Sequence, residues 1–298
     1  MGDRGPAGVY VGRGKRVNEA FERGQRFPVT MAQMKSSCYA MSMTSQFTAD
    51  SAFSAISAPR AAGPKTSPIK DAAFDTIQTA VSARLSKGAD AAVAAVGEAY
   101  AMAESLWAKV RTTPAFALGT QKAACGKGCG WCCHQRVGAA AVEVLYIANQ
   151  LRHRPDFETI SARLEAWPQG RACAFLVDGA CSIYELRPLK CRGLYQLDAR
   201  WCMTTYAKLD PPLFGPPPSH EYQTPPKDVF DGAVFGLALP FHRTGRDCPG
   251  VDFVPALKAI IHRPDATQAW WSGEKIFPPD TRLHDWFPPL TKPGKKKR

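Results

Sequence analysis

Cys125-Gly-Lys-Gly-Cys129-Gly-Trp-Cys132-Cys133 opens the stretch on which the rest of the chain depends. Cys173-Ala-Phe-Leu-Val-Asp-Gly-Ala-Cys181-Ser-Ile-Tyr-Glu-Leu-Arg-Pro-Leu-Lys-Cys191 continues it. Counting Cys202, eight of the ten cysteines fall between 125 and 202, and only Cys38 and Cys248 lie outside. Short spacings between thiols let several sulfurs converge on one metal centre. The residues singled out as ligands are Cys125, Cys129, Cys132, Cys133, Cys173, Cys181 and Cys191. Cys248 reads more simply as a small buried hydrophobe, and Cys202 either as another or, like His134, as the extra ligand with which two zinc ions would use all seven thiols.

Working outward, Gly126, Gly128 and Gly130 would let the first loop take positive φ and wrap closely around sulfur. A helix is expected from Val137 to Arg152, with Glu143 in its first two turns, and a shorter one from Phe157 to Trp167. Residues 173–184 predict a β-hairpin turning at Asp178-Gly179. A two-residue turn pairs Cys181 with Leu176 and puts Cys173 on the opposite face. A three-residue turn pairs Cys181 with Val177 and puts both thiols on one face. Even then they stand ~13 Å apart, at ~3.3 Å per residue. Either Cys173 precedes the strand and bends in, or there are two centres.

Upstream, Phe74, Ile77, Val81 and Leu85, then Val93, Val96, Tyr100 and Trp107, recur at helical spacing. Gly88 is expected to end the first helix and Asp90 to cap the second. Downstream, a helix is expected from Leu194 to Leu209, with others around Val229–Leu239 and Phe253–His262. The organisation is a disordered region at 1–68, a helical cysteine-cluster metal-binding domain at 69–210, and a Pro-rich connector at 211–226. A C-terminal helical extension at 227–287 and a basic tail at 288–298 follow. Met31, Met34, Met41 and Met43 are alternative starts. The fold class is mostly α with a small β-hairpin, the loop-built metal site packed among helices.

The formal charge of +12 sits mainly at the ends. Residues 1–35 carry +4 and residues 288–298 carry +5, leaving +3 for everything between. No interleaved basic and aromatic stripe accompanies it, which argues against nucleic acid as a partner. No apolar run is long enough to span a bilayer, and the N-terminus lacks the apolar core of a secretory signal. Thiols in a reducing cytoplasm bind metal rather than pair as disulfides.

Soft thiolates suit zinc or iron, including an iron–sulfur cluster. Lys127, Arg136, Arg187, Lys190 and Arg192 lie near cysteines and could offset the negative charge of such a centre. His134 is a further candidate ligand, and Glu143 a residue that orients a ligand or a neighbouring arginine. The order Cys-x3-Cys-x2-Cys-Cys, a Glu in the next helix, Cys-x-Phe-Leu, Cys-x-Ile-Tyr and Arg-Pro-x-x-Cys-Arg resembles the YkgJ-type cysteine-cluster proteins. That family is described as a zinc- or iron-chelating domain and extends to flagellin lysine N-methylases. The resemblance maps onto Cys125, Cys129, Cys132, Cys133, Glu143, Cys173, Cys181, Tyr184, Arg187, Pro188, Cys191 and Arg192. It implies metal chelation and leaves enzymatic turnover open. The alternative it implies is a metal-dependent protein-modifying enzyme, such as a lysine N-methyltransferase-like activity. No dinucleotide, Walker, nucleophile-elbow or zinc-protease motif is present. Substrate and protein partner are not specified.

Overall fold

Two apolar stripes at helical spacing become two long helices, α1 (Pro68–Leu85) and α2 (Ala89–Val110). The computed structural model describes residues 67–114, 116–117, 124–169, 172–206 and 224–287. The expected region 1–68 and basic tail thus lie almost wholly outside the described residues, as does the connector up to residue 223. Gly88 sits at φ 97° and is the residue from which α2 starts. Asp90 stands within the first turn of α2 and is not its cap.

The next helix is shorter than its pattern suggested. Gly138–Ala140 form strand β1, and helix α3 (Ala141–Arg152) begins immediately after it. Val137 O accepts from Phe253 N at 2.9 Å, and Ala141 N donates to Pro249 O at 3.0 Å. These two bonds hold 137–141 extended against a distant segment. Helix α4 (Phe157–Ala166) follows. The hairpin consists of β2 (Leu176–Val177) and β3 (Ala180–Cys181), and the Arg-Pro segment leads into α5 (Leu189–Arg192). Helix α6 (Ala199–Thr205) occupies only the middle of the expected 194–209 helix, because Gln196 is bonded into the first cysteine loop instead.

The C-terminal part supplies α7 (Thr224–Arg243), β4 (Gly250–Asp252), α8 (Phe253–Ile260), α9 (Ala266–Trp271) and β5 (Arg282–His284). Strand β4 is the middle of an antiparallel sheet ordered β1-β4-β5, with Gly138 opposite Asp252 and Ala140 opposite Gly250. Sequence reading had predicted the hairpin but not this sheet. The chain is otherwise mostly helical, as expected. No helix among the described residues is long and apolar enough to cross a membrane.

Helix α3 is the centre of the core. Val142, Val144, Leu145, Ile147, Ala148 and Leu151 are all fully buried, with α2 and α8 packed against it. Each large apolar side chain among them contributes about 1.5–3 kcal/mol by leaving water. Helix α7 lies along α1, and the approach is close enough to exclude side chains. A Cβ on Gly232 would strike Lys70 O, and one on Gly236 would stand 2.5 Å from Phe74 O. Ser161 Oγ and His262 Nε2, 2.7 Å apart, fasten α4 to the segment just beyond α8.

Candidate metal centre

Three cysteine-bearing segments meet at one place. Cys125 and Cys129 lie in the loop after residue 123, and Cys132 and Cys133 on the single 3-10 turn Trp131–His134. The main chain then stitches in the second segment: Cys173 N donates to Cys133 O at 2.7 Å. The third arrives through Gln196, whose N–H donates to Cys125 Sγ at 3.1 Å while its carbonyl accepts from Ala124 N at 2.8 Å. An amide donating to sulfur favours the thiolate over the thiol.

The glycines of the first loop divide their work. Gly128 alone of the three has positive φ, at 95°. Gly130 is needed for proximity instead: a Cβ there would strike Gly179 O and stand 2.5 Å from Leu176 Cδ1. The loop therefore rests directly on the hairpin turn. Gly126 has open space around it and no unusual φ. Gly130→Ala should push loop and hairpin apart at a cost of about 1–3 kcal/mol. A melting curve that overlays the wild type would show that this contact does not matter.

The hairpin turn has two residues, Asp178 at φ 48° and Gly179 at φ 80°. Both angles suit a type I′ turn. Cys181 is therefore opposite Leu176. Cys173 lies before β2, in a turn closed by Leu176 N donating to Cys173 O at 2.9 Å. That turn carries Cys173 toward the first loop, so a straight ladder does not keep the two thiols apart.

Arg187 and Cys132 are the electrostatic centre of the group. The charge of Cys132 is felt at Cys125, Cys129, Cys133, Cys173, Cys181, Cys191 and Cys202. Burial pushes Cys125 up to about 11 and Cys173 up to about 12. Cys132 moves the other way, down to about 7, because the Cys133 thiol donates a hydrogen bond to it and Arg187 adds positive charge. Arg187 also lowers Cys125, Cys181 and Cys191. Its guanidinium lies over the Tyr184 ring at 3.7 Å, and its Nε is buried with no hydrogen-bond partner among the described residues. An orphaned buried donor among thiols fits a site built for negative charge.

Glu143 is held from three sides, with Arg192 close enough for its charge to be felt. Its carboxylate is fully buried, and Oε1 accepts from Tyr100 OH and from Leu189 N, both at 2.9 Å. Oε2 accepts from Ala140 N at 2.8 Å, closing the start of α3. Leu189 N opens α5, which carries Cys191, so Glu143 fixes the backbone at the start of the Cys191 helix. Arg192 completes the clamp. It stacks over Tyr100 at 4.4 Å and donates to Glu104 Oε1 at 2.8 Å, to Arg187 O at 2.9 Å and to Glu185 O at 2.5 Å.

Cys202, for which the sequence left open an apolar core role or that of an extra ligand, lies close to the first cysteine group. It is buried on α6, and the charges of Cys125, Cys129 and Cys132 all reach it. It stands alone on its helix, eleven residues beyond Cys191, with Trp201 and Met203 also buried beside it in the chain. Cys248 stays apart, in the core beside the backbone of Val142. Cys38 lies outside the described residues. His134 is exposed at the end of the 3-10 turn, stacked on Trp131 with centroids 6.3 Å apart. All nine described cysteines are free thiols. As the side chains stand, no three His, Cys, Asp or Glu groups among the described residues reach ligating geometry around one point.

Residues 124–206 match the family model CxxCxxCC: Putative zinc- or iron-chelating domain. The match takes in both cysteine segments and Cys202, and it ends one residue beyond α6. Over these residues the chain is similar to a cysteine-cluster domain described as chelating zinc or iron, and the stretch is called the CxxCxxCC region below. No curated protein matches the chain, and no solved structure does.

Proposed function

We propose that the CxxCxxCC region binds zinc or iron through Cys125, Cys129, Cys132, Cys133, Cys173, Cys181 and Cys191, with Cys202 as an eighth thiolate. The observation that carries this reading is the stitching of three cysteine segments to one another, through Cys173 N to the Cys133 carbonyl and Gln196 N to Cys125 Sγ. Eight thiolates suffice for two four-coordinate zinc sites or two iron–sulfur clusters. The amide at Cys125 and the Arg187 guanidinium stabilise thiolates against the cost of burial, as a zinc site or an iron–sulfur cluster requires. The resemblance to YkgJ-type proteins supports the same chemistry. Free thiols in this number suit a reducing compartment such as the cytoplasm.

The test is elemental analysis and an absorption spectrum of protein purified without oxygen. A broad visible charge-transfer band with iron and sulfide supports clusters, whereas zinc with no visible band supports zinc sites. Protein that purifies without metal and takes up neither ion overturns the proposal. Cys129→Ser and Cys133→Ser should each lose metal, because the ligand loop is short of other folding energy. Cys38→Ser should retain it in full.

A second reading, a metal-dependent enzyme that modifies protein, is supported by one observation. Cys173 lines an open cleft and is not sealed inside the group. An exchangeable position on the metal distinguishes this reading, and added imidazole would perturb the metal spectrum only if such a position exists.

A further inference from the structure

Two adjoining hollows, of about 530 Å³ and about 280 Å³, share His134, Trp167 and Cys173 in their walls. Together they form one cleft in the size range of small-molecule sites, roughly 300–1,000 Å³. Cations outnumber acids along it. Arg163 lines the larger hollow and Arg136 the smaller. Among the described residues the only carboxylate in either wall is Asp252, which accepts from Arg136 Nε at 2.9 Å. Arg163 is half-buried and makes no hydrogen bond or ion pair among the described residues. Asp156, whose carboxylate feels its charge, is itself held by Arg154 at 2.8 Å. His134 likewise has no hydrogen bond among the described residues. Trp167 is fixed as a flat wall because its Nε1 donates to Ala172 O at 2.7 Å. Ala166, Ala174 and Leu176 make the rest of the larger hollow apolar.

We propose that this cleft binds a small organic carboxylate with a flat apolar body, its carboxylate forked by Arg163 and its body against Trp167. A guanidinium presents parallel N–H donors that match a carboxylate, and partial burial strengthens the pair. A planar body on an indole face adds apolar burial and stacking. Because Cys173 is in the shared wall, the ligand lies against the metal centre of the preceding reading. The proposal rests on that reading only for this placement.

Calorimetric titration of the full-length, metal-loaded protein with benzoate tests it, with benzyl alcohol and inorganic phosphate as comparisons. Benzoate should bind saturably, and both comparisons should bind about tenfold weaker or less, since one lacks the charge and the other the body. Arg163→Leu should weaken benzoate by about tenfold or more, and Arg163→Lys by less, because a lysine keeps the charge but not the fork. Both variants should keep the wild-type metal content and melting temperature, as Arg163 contacts nothing in the site. Equal benzoate affinity in wild type and Arg163→Leu, or no saturable binding in the wild type, overturns the proposal. Phosphate binding as tightly as benzoate overturns it too, since a bodyless anion would then suffice. Metal content measured on the same samples reports separately on the metal reading.

Discussion

Glu143→Ala should melt at a markedly lower temperature than the wild type and should retain less metal. The carboxylate is the single acceptor for Leu189 N, Ala140 N and the Tyr100 hydroxyl, and it lies in the field of Arg192. Removing it orphans three buried donors and takes one of two nearby carboxylates from Arg192, which keeps its ion pair with Glu104. Breaking a buried charged network from one side costs about 3–5 kcal/mol. For a domain of this size that is a drop on the order of 10 °C. Glu143→Gln should lie between the two, because the amide oxygen can still accept from one or two of the donors while the charge is gone. The loss of metal follows from Leu189. Once its N–H has no partner, the entry to α5 loosens and Cys191 with it. A Glu143→Ala protein that melts with the wild type and holds the same metal would show that the clamp is incidental.

Gly232→Ala and Gly236→Ala should each destabilise the fold, against what helix propensity alone forecasts. At an exposed helical position the exchange of glycine for alanine stabilises by about 1 kcal/mol. Here the added methyl would meet the carbonyl of Lys70 at one position and that of Phe74 at the other, and neither is the end of a flexible side chain. Helices α1 and α7 must separate to admit it. They then lose contact along their shared length, at a cost of about 1–3 kcal/mol for each methyl. The double variant should exceed either single one. It should also fall short of their sum, since the first separation makes room for the second. Thermal melts of the three variants decide it, and a rise in melting temperature for either single change would refute the close crossing.

Much of the fold could be read from spacing. Ile77 and Val81, then Val93, Val96 and Trp107, are buried where the helical period placed them. What could not be read depended on partners far along the chain. Gly138-Ala-Ala140 has no alternation to mark a strand, and it is extended because β4, more than a hundred residues later, pairs with it. Gln196 looks like part of a helix until the hydrogen bond its backbone N–H donates to Cys125 Sγ takes it out of one. The hairpin register hinged on whether Asp178 would accept a left-handed conformation, which an aspartate tolerates but does not announce. Among the candidate ligands, the dense groups of thiols were plain and the isolated Cys202 was not. Glu143 was noticed for its place in a motif, yet its three donors come from segments that no local pattern connects.

The placement of α3 has a consequence for how this protein can be made. The helix sits inside the CxxCxxCC region, yet it is enclosed by α2 from upstream and by α8 from downstream. During synthesis the thiols emerge from the ribosome well before residues 250–260 exist to cover Leu145, Ile147 and Leu151. Loop closure over such separations is slow compared with local helix formation. Nascent chains therefore display a ready set of sulfurs on an unfinished scaffold, and an excised 124–206 peptide would stay in that condition permanently, sticky and without its proper walls.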